Sequence, residues 1–360
     1  MKKGTSTLIK SLGATILGLL AGGILMLVIG KNPLAGYLYI FKGGLMNLER
    51  MGNTLATATA LILTGLSVAF AFKTGLFNIG AAGQMLAGGL CAIAVGLTLP
   101  LPKAILVPVV VLAAIFGGAL WGVIPGLLKA KFNVHEVVST IMLNWTAYWI
   151  VYYVIPAYFK ANQETESAHL PFAAQLRVTW LSDFFGSEYV SLGIFIAIGA
   201  VFLIKFILDR TTLGYELKAV GYNRYAAEYA GVKVNRDIIL SMMIAGALAG
   251  LAGAVYYAGY TTNMEIGRLP AQGFDGIAVA LLGANSPLGV LVSAIFFGVL
   301  HSGKGFMNAM TGIPPQISDT IIAIIIYFTA TSLFIERMYK RYKSKKNKKA
   351  AAEISAGGDQ

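Results

Sequence analysis

Two short segments combine glycines with amide or carboxyl side chains at the points where long apolar stretches begin. Asn78 and Gln84 lie in residues 75–84, and Asp275 lies in residues 269–276, which also contain a proline. Glycine and proline interrupt helices, and irregular backbone at membrane depth is tolerated only where protein or a water-filled cavity surrounds it. The helix N-termini exposed there can donate hydrogen bonds. The two segments therefore predict a path for a polar solute.

A polar segment, residues 209–237, forms a second candidate site because it predicts one short helix. Asn223 is a favourable N-cap, residues 224–230 are compatible with a helix, and Gly231 stands where a C′ glycine would end it. Such a helix has only about two turns, too few to be stable alone. A cytoplasmic partner surface is the favoured interpretation. The alternative is an amphipathic segment on the inner leaflet, which would require a larger apolar face.

Other chemistries have weaker support in the sequence. Residues 298–305 nearly match a phosphate-binding loop, but Gly305 stands where a magnesium-binding Ser or Thr should follow the lysine. The three histidines are far apart and lack neighbouring thiols, so no metal site is predicted. The net charge of +12 would suit nucleic acid, yet no aromatic residue follows Tyr342 in the basic tail. Membrane orientation explains these charges better.

Membrane helices are the elements that would position these residues. Only 12% of the residues are charged and 57% are hydrophobic, whereas soluble domains carry about 25% charged residues. Stretches without Asp, Glu, Lys or Arg cover residues 12–30, 51–72, 74–102, 104–128, 137–159, 189–204, 238–264, 276–303 and 320–335. They are continuously apolar, which favours helices over the alternating strands of a barrel. The first is longer than a signal-peptide core and predicts a retained span.

The distribution of basic residues predicts the topology. Both termini are basic and are expected on the cytoplasmic side, so the number of spans is even. Turn residues at 283–289 divide the stretch 276–303, which gives about ten transmembrane helices in an all-α polytopic fold. This arrangement places 20 of the 28 basic residues inside and 8 outside, with residues 31–50 in an external loop. Residues 156–188 are then external and residues 209–237 cytoplasmic.

The predicted organisation is one membrane domain over residues 1–336, followed by a basic, disordered cytoplasmic tail over residues 337–360. The breaks at 75–84 and 269–276 would begin the third and eighth spans from opposite faces. Spans two to five and seven to ten would then form a weak inverted repeat.

Several motifs in order resemble the bacterial ABC permeases of the ribose, branched-chain amino acid and nucleoside group. They are TGLFNIGAAGQM at 74–85, EVVSTIMLNW at 136–145, GYELKAVGYNRYAAEYAGV at 214–232, AGALAGLAGA at 245–254, GFDGIAVALLGANSPLG at 273–289 and QISDTIIAIIIYF at 316–328. The resemblance implies a type II-like importer permease in a bacterial cell membrane. Related sequences often carry an acidic residue where Ala82 stands, which leaves any role of that carboxylate in doubt here.

The same resemblance implies partners and residue roles. The partners are a second homologous permease, identical or not, a cytoplasmic ATPase with two nucleotide-binding halves, an extracytoplasmic substrate-binding lipoprotein and a small-molecule solute. ATP and magnesium would bind the ATPase, so this chain would be no enzyme and bind no cofactor. The helix after Asn223 would couple the two subunits. The residues assigned to ATPase coupling are Gly214, Glu216, Gly221, Asn223, Arg224, Ala226, Ala227 and Gly231.

The segments around Asn78 and Asn144 look most like the nucleoside branch, with simple sugars or branched-chain amino acids as alternatives. A nucleoside path needs amides and aromatic faces. The residues assigned to the path are Asn78, Gln84, Asn144, Trp145 and Asp275. Trp145 is equally compatible with an interfacial anchor. An ion-coupled transporter or a membrane transferase would need ionisable groups at mid-membrane depth, but Glu136, Asp275 and Asp319 all lie near predicted span ends.

Overall fold

The structure is a computed structural model that describes residues 2–329 and residue 331, with side chains from Gly13 onward. The predicted basic tail, residues 337–360, lies outside the described residues. The helices are α1 Lys2–Val28, α2 Pro33–Leu45, α3 Leu48–Lys73, α4 Ala81–Thr98, α5 Lys103–Phe132, α6 Glu136–Val154, α7 Thr179–Phe185, α8 Gly193–Arg210, α9 Thr212–Tyr222, α10 Arg224–Tyr229, α11 Val234–Val255, α12 Ala271–Leu282, α13 Pro287–Thr311 and α14 Gln316–Thr329. One π-helical turn extends α6 over Ile155–Phe159, and another extends α11 over Tyr256–Tyr260.

The predicted all-α class is confirmed over the described residues, where extended backbone forms only isolated bridges such as Lys160 to Ser167. Within the described residues, six helices are long and apolar enough to cross a membrane: α3, α4, α5, α6 with its π turn, α11 with its π turn, and α13. Apolar segments of α1, α12 and α14 are shorter. The 12 residues of α12 rise about 18 Å, less than a hydrocarbon core of about 30 Å. Ten spans therefore stay a prediction, as does the inverted repeat.

The two ends of the bundle are chemically different. Gly52, near the start of α3, contacts Phe185 and Val190, whereas Lys73, at its end, contacts Gly221 of α9. We call the first end, which carries residues 160–192, the loop end, and the second end the α10 end. Tyr189, from the loop end, lines a cavity between the helices.

Glycines allow the central helices to pack backbone against backbone, as their spacing predicts. A Cβ atom on Gly250 of α11 would lie 2.2 Å from the carbonyl oxygen of Ala114 on α5, and one on Gly246 would lie 2.3 Å from that of Gly118. Such distances exclude any side chain at these positions. The tight contact fixes α4, α5 and α11 as one rigid group.

Residues 31–50 differ from the predicted external loop because residues 33–45 form α2. Asn32 caps this helix by accepting hydrogen bonds from the backbone N–H groups of Leu34 and Ala35. Its glycines face α13, where a Cβ atom on Gly303 would lie 2.1 Å from the carbonyl oxygen of Ile40. The basic residues of this segment did not reveal the helix, whose small residues around Lys42 give it a packing face. The external location of residues 31–50 stays a prediction.

The predicted break after α12 is confirmed. Ala284 and Asn285 adopt left-handed backbone angles, and the Asn285 N–H donates to the carbonyl of Ala280 at 2.8 Å. α12 runs alongside α3 in the same direction, since Gly276 contacts Thr64 and Val279 contacts Gly65. After the turn, α13 returns antiparallel to α3. The helices α12 and α13 form a hairpin. Its first arm, α12, begins beside the interior of α3 and not beside the end of that helix.

Candidate functional site

A cavity of about 740 Å³ opens between α2, α3, α12, α13 and α14, beside the π turn that ends α11. Its volume is within the range of about 300–1,000 Å³ that is usual for small-molecule sites. Asp275 is the one residue of the predicted path set that lines it. The cavity has an aromatic side and a polar side, which come from different elements.

Three tyrosines form the aromatic side. The rings of Tyr256 and Tyr260 stack with centroids 5.6 Å apart and planes 12° apart, and Tyr189 lies 5.0 Å from Tyr260 at 31°. The π turn widens the helix locally at this point; such turns occur frequently at functional sites. We call Tyr189, Tyr256 and Tyr260 the tyrosine column.

Neighbouring side chains and backbone hold the tyrosine column in place. Tyr256 lies beside Gln272 of α12, and Tyr260 lies beside Thr57 of α3. Arg177 supports the π turn because its Nε donates to the carbonyl of Gly259 at 2.8 Å and its other end donates to the carbonyl of Tyr260. Burial lowers the pKa of Arg177. The rings are therefore fixed by three separate elements.

The polar side carries two carboxylates and two permanent positive charges. Lys304 Nζ lies 2.8 Å from the Asp319 carboxylate, and Arg50 also lines the cavity. His301 Nε2 lies 3.3 Å from the Asp275 carboxylate, a contact that is an ion pair only when the histidine is protonated. The hydroxyl of Ser302 lies 3.5 Å from that of Thr57. Arg50 and Lys304 balance Asp275 and Asp319 in formal charge, so the cavity suits a neutral polar solute better than an ion.

The predicted amides Asn78, Gln84 and Asn144 are buried and lie together, but they do not line this cavity. Asn78 Nδ2 donates to Gln84 Oε1 at 2.9 Å, while Asn144 accepts from the Gly83 N–H at 2.8 Å and donates to the Ile79 carbonyl at 3.0 Å. They satisfy the polar groups of the broken segment before α4. Contact of these amides with a solute stays a prediction.

Trp145 is 51% exposed and lies on the outer face of α6. It contacts Tyr148, which packs in turn against Trp149 and Tyr152. This placement, away from the cavity, matches the alternative interpretation of Trp145 as an anchor or packing residue.

The predicted helix after Asn223 is present as α10. The Asn223 side chain accepts from the N–H groups of Tyr225 and Ala226 at 3.0 and 3.1 Å, as an N-cap does. At the other end the Val232 N–H donates to the Ala227 carbonyl at 3.0 Å, and Gly231 has a φ of +85°. This geometry is a glycine-ended helix C-terminus.

Several small residues around α10 have structural roles within this chain, and their assigned role in ATPase coupling stays a prediction. Ala227 is 4% exposed and packs inside the chain with Val220, Val234 and Ile238. Gly231 has open space around it, so its positive φ is what requires glycine. A Cβ atom on Gly214 would lie 2.2 Å from a backbone oxygen of α8, and one on Gly221 would lie 2.2 Å from a backbone oxygen of α3.

The exposed face of α10 is aromatic. Tyr225 is 81% exposed and Tyr229 is 97% exposed, next to the exposed Ala226. Neither tyrosine is among the residues assigned to ATPase coupling from the sequence, although their spacing of four residues places them on one face of a helix. We call Tyr225 and Tyr229 the α10 face.

Ion pairs fasten the α9–α10 segment to the bundle. Arg236 bonds with Glu216 of α9 and lies 2.9 Å from Asp237, whose side chain is fully buried. Arg224 donates to Asn235 at 3.1 Å. Glu216 and Arg224 therefore hold the α10 face at a fixed position relative to α11.

Among the described residues, no three His, Cys, Asp or Glu side chains are grouped as a metal site would need. The segment that resembles a phosphate-binding loop, residues 298–305, is helical throughout within α13. Its glycines Gly298 and Gly303 contact α3 and α2. A phosphate loop must wrap around its ligand, which this helix does not do.

The chain belongs to the family described as branched-chain amino acid transport system / permease component, which matches residues 50–330. Together with the apolar helices, this defines a multi-pass membrane transport subunit, and it confirms the resemblance drawn from the motifs.

Individual relatives are similar over nearly the whole chain. The chain is 41% identical over 357 residues to the nucleoside ABC transporter permease protein NupB of Lactococcus lactis, covering 97% of this chain and 98% of the relative. It is 41% identical over 346 residues to the guanosine ABC transporter permease protein NupP of Bacillus subtilis, covering 96% and 99%. It is 32% identical over 333 residues to a glucose ABC transporter permease of Haloferax volcanii, covering 90% and 87%.

Proposed function

We propose that this chain is the permease subunit of an ABC importer for nucleosides. The observation that carries the proposal is the 41% identity, over nearly full length, to two permeases named for nucleosides and guanosine. The cavity supports it, because a nucleoside is neutral and combines an aromatic base with a hydroxylated sugar. The cavity likewise has an aromatic side and a polar side with compensated charge.

A simple sugar is the second candidate solute, because the glucose permease relative is 32% identical over most of the chain. Sugars are recognised by polar groups similar to those of the cavity. The tyrosine column favours the nucleoside, since an outer ring face of the column can stack on a planar base, which a free sugar lacks.

The proposed importer contains further subunits. A cytoplasmic ATPase with two nucleotide-binding halves binds ATP and magnesium, so this chain contributes no cofactor. In this proposal the α10 face contacts that ATPase, and the α10 end and both termini lie in the cytoplasm. A substrate-binding lipoprotein docks at the loop end, and a second permease completes the pathway. The exposed aromatic side chains of α10 support the contact, because Tyr is enriched among residues that dominate interfaces.

Uptake of tritiated guanosine and uridine tests the solute. Cells that carry the whole system are compared with cells lacking only this permease, with excess unlabelled ribose, glucose or leucine as competitors. We expect uptake to require the permease and to resist all three competitors. Full competition by glucose or ribose, with nucleoside uptake unchanged by the deletion, would establish the sugar candidate instead.

A further inference from the structure

We propose that the cavity is a two-part nucleoside site, in which the tyrosine column binds the base and Asp275 binds the ribose diol. The inference rests on the proposed function and adds the residues that would distinguish a nucleoside from a free sugar. Neither the tyrosine column nor Asp275 belongs to the group of buried amides, Asn78, Gln84 and Asn144, at the broken segment before α4. Both parts line the same cavity.

The tyrosine column fits a base because its rings are exposed to the cavity and fixed. Tyr256 and Tyr260 are partly exposed and Tyr189 is exposed, while Arg177 holds the π turn that carries the first two through the carbonyls of Gly259 and Tyr260. A fixed ring loses little conformational entropy when a base stacks on it. Stacking tolerates purines and pyrimidines alike, because every base has a π face.

Asp275 fits the ribose because a carboxylate accepts hydrogen bonds from two adjacent hydroxyl groups. It lies on α12 three residues after Gln272, which lies beside Tyr256, so α12 places the acceptor near the tyrosine column. His301 Nε2 lies 3.3 Å from the Asp275 carboxylate, on the same side of the cavity. One helix thus joins the two parts of the site.

The site is expected to reject a nucleoside that lacks the diol. Loss of both hydroxyls leaves Asp275 without partners for its acceptor positions, and an unpaired polar group in a desolvated site is costly. 2′,3′-Dideoxyguanosine therefore provides a probe for Asp275 that keeps the whole base.

The test compares uptake rates of tritiated guanosine and tritiated 2′,3′-dideoxyguanosine in cells with the intact system, each at saturating concentration. The binding protein is the same in all cells, so a change in the ratio of the two rates belongs to the permease. We expect Tyr256→Leu to reduce uptake of both compounds by about fivefold or more. Tyr256→Phe keeps the ring and should recover most of that loss. We expect Asp275→Asn to reduce guanosine uptake by about tenfold and leave dideoxyguanosine uptake unchanged.

Tyr152→Leu on the outer face of α6 is the matched control, with unchanged uptake expected. Immunoblots of membranes and the basal ATPase rate of the purified complex show whether each variant assembles. If wild-type cells take up no guanosine, the proposed function fails. If they do, but Tyr256→Leu equals Tyr256→Phe, or Asp275→Asn reduces both compounds equally, the two-part site is overturned while nucleoside import stands.

Discussion

Gly273 of α12 lies so close to Ala82 of α4 that a Cβ atom at position 273 would come within 2.4 Å of the Ala82 Cα. Each residue is in the first turn of its helix, and each helix follows one of the two irregular segments that the sequence predicts. The two helix beginnings therefore meet inside the bundle. Ala82 is fully buried, so an acidic side chain at this position would lie in the contact itself.

Gly273→Val should prevent this contact and destabilise the permease by about 1–3 kcal/mol, as overpacking of a core does. The melting temperature of the purified chain in detergent and the uptake rate in cells should both fall. Gly199→Val is the control, because Gly199 is exposed on α8 with no atom within 4 Å of its Cβ position. An unchanged melting temperature for Gly273→Val would mean that α4 and α12 are not in contact.

Asn144→Ala should destabilise the chain through the broken segment before α4. The change leaves the Gly83 N–H and the Ile79 carbonyl unpaired, at a cost of about 1–3 kcal/mol for each buried group. Thermal unfolding in detergent measures the loss. Thr146→Ala on the same helix is the control, since Thr146 is exposed and bonds only with its own helix at Met142. Equal melting temperatures for the two variants would contradict the structural role of Asn144.

Local signals in the sequence predict local structure well. Asn223 and Gly231 mark the ends of α10 because an N-cap and a positive φ are determined by the residues themselves. The same holds for the turn between α12 and α13, where Ala284 and Asn285 reverse the chain. The apolar stretches likewise predict the six long helices.

Features that depend on contacts between distant elements could not be predicted. The tyrosine column joins Tyr189 to Tyr260, 71 residues apart, and no periodicity connects them. The amides Asn78 and Asn144 suited a solute path by type alone, yet their hydrogen bonds go to the protein. Residue type shows what a side chain can do, and only packing shows whether it is already engaged.

Cysteine labelling should place the two ends of the bundle on opposite sides of the membrane. In a Cys91→Ser background, Gln163→Cys at the loop end is expected to react with an impermeant maleimide in intact cells. Glu228→Cys on α10 should react only after permeabilisation. Both side chains are exposed, whereas nearby Ser167 is fully buried and would not report accessibility. Labelling of position 228 in intact cells would reverse the proposed orientation.

Substitutions at Gly231 can distinguish the effect of backbone strain from the effect of side-chain size. Its φ of +85° favours glycine, and Asn tolerates the left-handed region better than β-branched residues. We expect Gly231→Asn to keep most uptake and Gly231→Val to lose it, since open space surrounds the position and only the backbone resists. Equal uptake by the two variants would show that the φ at this position does not matter. Uptake of labelled guanosine, normalised to the amount of permease in the membrane, measures both.

Replacing the α10 face should uncouple the permease from its ATPase without unfolding it. Tyr225→Ala combined with Tyr229→Ala removes two exposed rings, so the melting temperature of the chain alone should not change. Aromatic side chains at the centre of an interface often contribute about 2 kcal/mol or more, which corresponds to about a thirtyfold loss of affinity. We expect co-purification of the ATPase and solute-stimulated ATP hydrolysis to fall accordingly. Tyr158→Ala, exposed at the loop end, is the matched control and should change neither.

Ala227→Asp completes this test because it affects the opposite face of the same helix. Ala227 packs against Val220 and Ile238 inside the chain, so a carboxylate there is buried without a partner. That variant should have a lower melting temperature before any ATPase is added, whereas the double tyrosine variant should not. If the double variant retained full ATPase binding and solute-stimulated hydrolysis, the α10 face would not be the docking surface, whatever the result at Ala227.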